Sequence, residues 1–267
     1  MGGQHHAGRA GRVVTVTAMT RLIEPVRASS PSPRIGTVGS RIGWTWILLS
    51  ALAIAAYAAI PYFAASLPQL AGDGVGVAGN YADRGVFVQA ALYVHIAGGA
   101  VALVVGPLQF WRGLRTRVPR VHRWLGRVYL AGVGLAGTAG LVIAPFSQAG
   151  WVGFFGFGSL AVLWLVTGWR AYRAIRRRDI TGHQAWMIRN YALTYAAVTL
   201  RIWLPLMIMA PLLTGAPFDF DTAFANAYAA VPFLAWLPNL IVAEWLIRRR
   251  GLPSYRLSAT GLSRSIG

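Results

Sequence analysis

Six apolar runs, separated by short polar turns, constrain this chain more than any other feature. They fall at about residues 43–65, 85–111, 122–144, 151–172, 184–213 and 224–247. About 20 apolar residues, rising 1.5 Å each, cross a hydrocarbon core roughly 30 Å thick. Backbone in lipid must satisfy its own hydrogen bonds, which a helix does within one segment. The expectation is an all-α integral membrane bundle of six transmembrane helices. The first run is too long, and too far from the start, for a cleaved signal, so it is read as a retained helix. Composition agrees: 56% of the 267 residues are hydrophobic and 12% charged, against about 25% charged in soluble domains.

Charge sets the expected orientation. The net charge is +18, and every one of the 25 basic residues is arginine. In a soluble protein this would point to nucleic acid. Here the arginines sit between apolar runs, so no nucleic-acid partner is expected and the lipid bilayer is. Twenty-two of the 25 fall on one side: before the first run, in Arg112–Arg127, in Arg170–Arg178 and after the last run. The opposite loops hold Arg84 and four of the seven acidic residues, Asp73, Asp83, Asp219 and Asp221. The positive-inside rule then places both termini in the cytoplasm and the chain in the inner (plasma) membrane. Residues 1–43 read as a disordered basic tail, 44–247 as the membrane domain and 248–267 as a second basic tail. Met19 offers a second start within the first tail. With no cysteine, disulfides and thiolate chemistry are excluded. Protein partners are not indicated.

Small residues recur at helical spacing: Gly98, Ala102 and Gly106 in the second run, Gly132, Ala136 and Gly140 in the third. Such stripes let two helices approach closely in lipid, and the reading is packing.

Few residues could carry chemistry. His122 and His183 each open a helix after an arginine-rich turn, at matching depth. His95 lies roughly 15 Å into the second run from the opposite side. Neutral imidazole ligates haem iron between helices, so b-type haem is one expected cofactor, with His122 and His183 facing each other and His95 a further ligand. The competing reading is interfacial anchoring, since His, Trp and Arg gather at headgroup level. Trp124 with Arg127, and Trp186 with Arg189, repeat a three-residue spacing that places each pair on one helix face. Arg201 lies deep in the fifth run, where an arginine costs about 2.5–3.5 kcal/mol on insertion scales. It requires a partner: His95, Gln89, Gln148 or a bound anion. Arg189 is near enough to the helix end to snorkel, Glu244 is placed to pair with Arg189 or to hydrogen-bond a histidine, and Gln109 adds a polar group near the inner end of the second run. Pro205 is the expected kink of the fifth helix. No phosphate-cradling loop, HExxH or GxSxG is present, and no broken helix pair with an acidic centre points to a cation pathway.

His95…Gly98…Gly106-Pro107-Leu108-Gln109-Phe110, then Arg115, then Val121-His122-Arg123-Trp124-Leu125-Gly126-Arg127-Val128-Tyr129 form one run of landmarks. His183…Trp186-Met187-Ile188-Arg189…Thr199-Leu200-Arg201 complete it. Together they resemble a bacterial family of predicted membrane proteins, domain of unknown function twenty-three-oh-six, over about residues 45–205. That resemblance implies a membrane bundle and no known reaction. The histidine placement is distantly similar to cytochrome b561 and ferric-reductase-like haem bundles, but lacks their four paired histidines. Three functions remain open: a haem-associated or redox protein, a carrier or lipid- and anion-binding protein built on Arg201, or a structural accessory protein.

Overall fold

The computed structural model describes residues 1–2, 37–215 and 217–254. The two expected basic tails lie largely outside the described residues. The unit discussed below is 42–267, which is separate from the first 41 residues.

The described residues form eleven α-helices, one short 3-10 helix (Ala144–Phe146) and no strand. The α-helices are α1 (Thr37–Ala64), α2 (Leu67–Gly72), α3 (Ala78–Tyr81), α4 (Val86–Phe110), α5 (Arg112–Arg117), α6 (Pro119–Ile143), α7 (Gly150–Arg176), α8 (Ile180–Thr194), α9 (Ala196–Thr214), α10 (Phe220–Leu234) and α11 (Leu237–Arg249). Six stretches are long and apolar enough to cross a membrane. They are α1, α4, α6, α7 and two interrupted spans, α8–α9 and α10–α11. The large side chains turned outward are those a lipid-facing surface calls for, among them Trp46, Leu49, Ile60, Leu135, Leu206 and Ile241.

Proline marks one interruption and not the other: Pro238 opens α11, whereas no proline accompanies the break between α8 and α9. Pro205 lies inside α9, and the chain breaks ten residues earlier, at Tyr195. Beside it, α10 ends at Leu234 and α11 starts at Leu237. Opening a helix frees carbonyls that lipid cannot solvate. Here side chains take them: the Thr199 hydroxyl donates to Ala235 O at 2.5 Å, and Asn239 Nδ2 donates to Ala235 O and Ala192 O, both at 3.1 Å. The two breaks are thus tied to one another. Hydrophobicity alone does not register an interruption whose polar groups are repaired by one Thr and one Asn.

The small-residue stripes pack α4 on α6 as expected. A Cβ on Gly98 would lie 3.0 Å from Gly132 O, and one on Gly132 would lie 2.9 Å from Gly98 O. A Cβ on Gly106 would fall 2.1 Å from the Tyr191 ring. Pro107 lacks an N–H for Leu103 O, and the Tyr191 hydroxyl donates to that carbonyl at 3.4 Å.

The stretch 66–84, read from sequence as a loop, folds into α2 and α3 around its own apolar cluster of Tyr62, Leu67, Leu70, Ala78, Tyr81 and Leu92. Val77 N–H donates to Tyr62 Oη at 3.0 Å, Asn80 Nδ2 donates to Phe146 O, and the Tyr81 hydroxyl donates to Ile143 O at 3.3 Å. Burial pushes the Tyr81 phenol up to about 12, so it remains a neutral donor. The result is a cap over one end of the bundle.

Gly106→Leu is expected to destabilise the detergent-solubilised protein by about 1–3 kcal/mol through overpacking against Tyr191. Gly134→Ala, which meets no atom within 4 Å, should leave the melting temperature unchanged. Thermal unfolding of both variants checks this.

Candidate functional site

Two groups of polar residues stand out, one at each end of the bundle's interior. At the arginine-rich end, Arg189 reaches across from α8 to α11. Its Nε and Nη2 donate to the two Glu244 carboxylate oxygens at 2.5 and 2.9 Å. This is the bidentate fork that a guanidinium makes with a carboxylate. The Arg189 side chain is 5% exposed and that of Glu244 33%. The Trp186 ring lies under Arg189 on one side and Arg170 on the other, at 4.7 and 4.9 Å from centroid to guanidinium carbon. The cluster therefore fastens α7, α8 and α11 together. Arg127 is exposed and stays outside it.

His122 and His183 lie close enough for their charges to interact, as matching depth predicts. His183 Nδ1 donates to Ala171 O at 2.9 Å. His122 Nδ1 and Gln109 Nε2 are enclosed without a hydrogen-bond partner among the described residues. The Gln109 amide sits over Gly126, its Oε1 3.3 Å from where a Cβ would be. Among the described residues, no group of three or more His, Cys, Asp or Glu side chains converges on a metal position.

The other group surrounds a cavity of about 380 Å³ that runs from the cap into the middle of the bundle. Its volume lies at the lower end of ligand pockets, roughly 300–1,000 Å³. His95 and Arg201 both line it, far from His122 and His183 in the chain's path. The ends of both broken helices, Thr194, Ala196 and Ala235, form part of its wall. Beneath them lies a closed polar network. The Tyr129 hydroxyl donates to Asn190 Oδ1 at 2.6 Å, Trp164 Nε1 donates to Thr194 Oγ1 at 2.9 Å, and Asn190 Nδ2 donates to Trp164 O at 2.7 Å. These satisfied groups give the cavity a rigid floor.

Arg201 hangs from α9 at this depth. Its Nη1 donates to Ala197 O at 2.8 Å. No carboxylate pairs with it among the described residues, and the groups nearest in electrostatic terms are the hydroxyls of Tyr57, Tyr62 and Tyr228. Of the partners expected from sequence, Gln89 is committed elsewhere, donating to Ala82 O and Arg84 O at 2.7 and 2.9 Å. Gln148 and His95 share the cavity. The tyrosines were not anticipated; the signal was hydroxyls at Tyr57, Tyr62 and Tyr228 inside otherwise apolar spans.

His95 has a defined tautomer. Nδ1 lies 2.8 Å from Ala136 O, and a carbonyl only accepts, so Nδ1 carries the proton. Nε2 then presents a lone pair and is not among the enclosed, unpartnered atoms, so it faces the cavity that His95 lines. Gly140 makes room for the ring: a Cβ there would lie 3.2 Å from Nδ1.

Residues 92–247 match the family described as "Predicted membrane protein (DUF2306)". The chain belongs to this family. The match takes in His95, both helix breaks, Arg201 and the Arg189–Glu244 pair, and leaves out α1 and the cap. No curated protein and no solved structure matches the chain.

Glu244→Ala is expected to destabilise the protein by up to about 3 kcal/mol, because it removes the carboxylate from a nearly enclosed guanidinium. Arg189→Met combined with Glu244→Leu should cost less than Glu244→Ala alone. A double-mutant cycle read by thermal unfolding measures the coupling.

Proposed function

We propose that this membrane protein binds an anionic, largely apolar molecule within the bilayer, as a carrier or lipid-binding protein, with Arg201 as its countercharge. The observation that carries the reading is the cavity reaching a guanidinium that has no carboxylate partner among the described residues. An ionisable side chain at membrane depth faces a partner or a site, because its desolvation is otherwise uncompensated. The broken helices support the same reading, since interrupted spans at membrane depth commonly border substrate sites. Arg201 would hold a carboxylate or phosphate, the tyrosines would add hydrogen bonds, and the His95 lone pair would accept from a ligand hydroxyl.

Arginine distribution supports a cytoplasmic position for both chain ends in the plasma membrane, which puts the cap and the cavity mouth on the far side. A tag inserted at Asp73 should then be reached only from outside the cell.

A second reading, haem binding, rests on His95. A ring whose Nδ1–H is held by a backbone carbonyl and whose Nε2 faces an apolar cavity is arranged as metal-ligating histidines are. His122 and His183 lie outside that cavity's lining. If haem is the ligand, added hemin gives a sharpened Soret band that His95→Ala removes.

The main test uses protein purified in a neutral detergent and titrated with oleate or dodecyl phosphate. Wild type should bind and Arg201→Gln should bind about 10- to 100-fold more weakly, the worth of one charge-assisted hydrogen bond. Arg201→Lys should recover part of the loss. Equal affinity in wild type and Arg201→Gln would refute the assignment.

A further inference from the structure

The cavity has two candidate mouths. At the cap, its lining residues Gly76 and Gln148 are exposed. On the side, Tyr57 of α1 lines the cavity and is also 72% exposed. A side chain at mid-helix that is both in the cavity wall and on the outer surface marks an opening through the side of the bundle.

The behaviour of α1 explains where that opening lies. Through its arginine-rich half, α1 is pinned to the bundle. Trp44 Nε1 donates to Pro107 O at 2.9 Å, Ser50 Oγ and Tyr195 Oη share a hydrogen bond at 2.7 Å, and Ala51 and Ala55 pack against Leu103 and Val198. From Ile54 onward the helix also borders the cavity, through Ala55, Tyr57, Ala58 and Pro61, and at Tyr62 it packs again, into the apolar cluster under the cap. Arg201 and Ala197 of α9 are the cavity residues electrostatically or spatially next to this stretch. Tyr57, on the side where α1 meets α9, is thus shared by the lipid-facing surface and the wall of the cavity that Arg201 lines.

We infer that the cavity is filled sideways from the membrane, through the α1–α9 gap at Tyr57, by a single-chain anionic lipid such as a free fatty acid. This rests on the proposed role of Arg201 and adds the source and class of the ligand. Two features select this occupant. The lining is mostly apolar around one cation, so the complement is a chain ending in one anion. The volume, at the small end of ligand pockets, suits one acyl chain rather than the two of a phospholipid. The gap opens at helix depth, where the available molecules are those already dissolved in the bilayer.

The chain has no cysteine, so single cysteines report on one position each. Tyr57→Cys and Gln148→Cys, reacted with a bulky maleimide, plug the side and the cap respectively. Each labelled protein is reconstituted in phosphatidylcholine vesicles, and uptake of oleate from the bilayer is timed. Plugging position 57 should slow uptake at least tenfold, and plugging position 148 should slow it less than twofold. Equilibrium oleate binding of both labelled proteins in detergent separates a blocked opening from a damaged site. If the plug at 148 slows uptake and that at 57 does not, entry is from the aqueous side and the inference fails, while the Arg201 assignment stands. If unlabelled wild type does not bind oleate at all, both fail.

Discussion

Carbonyl groups cannot be left bare in hydrocarbon, and the centre of this protein is organised by how two sets of them are covered. Spans α8–α9 and α10–α11 are opened at Tyr195 and at Ala235–Trp236. Thr199 and Asn239 close the account by donating to Ala235 O and Ala192 O. Removing either donor would expose a peptide carbonyl at a cost of about 1–3 kcal/mol. Because the repair links the breaks, they sit at one depth, and the helix ends they create become a wall. The cavity, the direction of α9 and the position of Arg201 all follow from that wall.

The second determinant is the glycine-lined contact of α4 and α6. Backbone approach at Gly98 and Gly132 is close enough that no other residue fits without displacement. That approach brings Ala136 O within reach of His95 Nδ1 and lets Gly140 seat the ring. A packing stripe in one helix thus decides which nitrogen of a histidine in another faces the cavity.

Much of this was legible in the residues. Six long apolar runs and one-sided arginines are strong, redundant signals, and the structure contains six suitable spans. The Arg189–Glu244 pair was readable as one of two alternatives for Glu244, but the enclosure of Arg189 was not, since its place near a helix end suggests a side chain that reaches the headgroups. Arg201 was conspicuous because it lies deep in an apolar run. The α8–α9 break was not legible: Pro205 is the louder local signal, yet its missing N–H is absorbed within α9, whereas Tyr195 carries no breaker at all; the α10–α11 break does carry a local mark, Pro238 at the start of α11. The cap was hidden because Gly74 and Gly76, both at positive φ, look like loop residues while they fold a compact turn against Tyr62. The tyrosines around Arg201 come from two spans far apart in the chain, α1 and α10, and no one-dimensional pattern unites them.

The attachment of α1 has a mechanical side. Its free portion, from Ala55 to the helix end at Ala64, is a lever about 13 Å long at the usual rise. A tilt of about 10° at the pivot would carry its tip by about 2 Å. What resists that swing at the far end is the packing of Tyr62 into the apolar cluster under the cap, joined by the Val77–Tyr62 hydrogen bond and by the ring contacts of Tyr62 and Phe63 with Tyr93. The seating of one tyrosine in the cap therefore governs how far a whole transmembrane helix can lean.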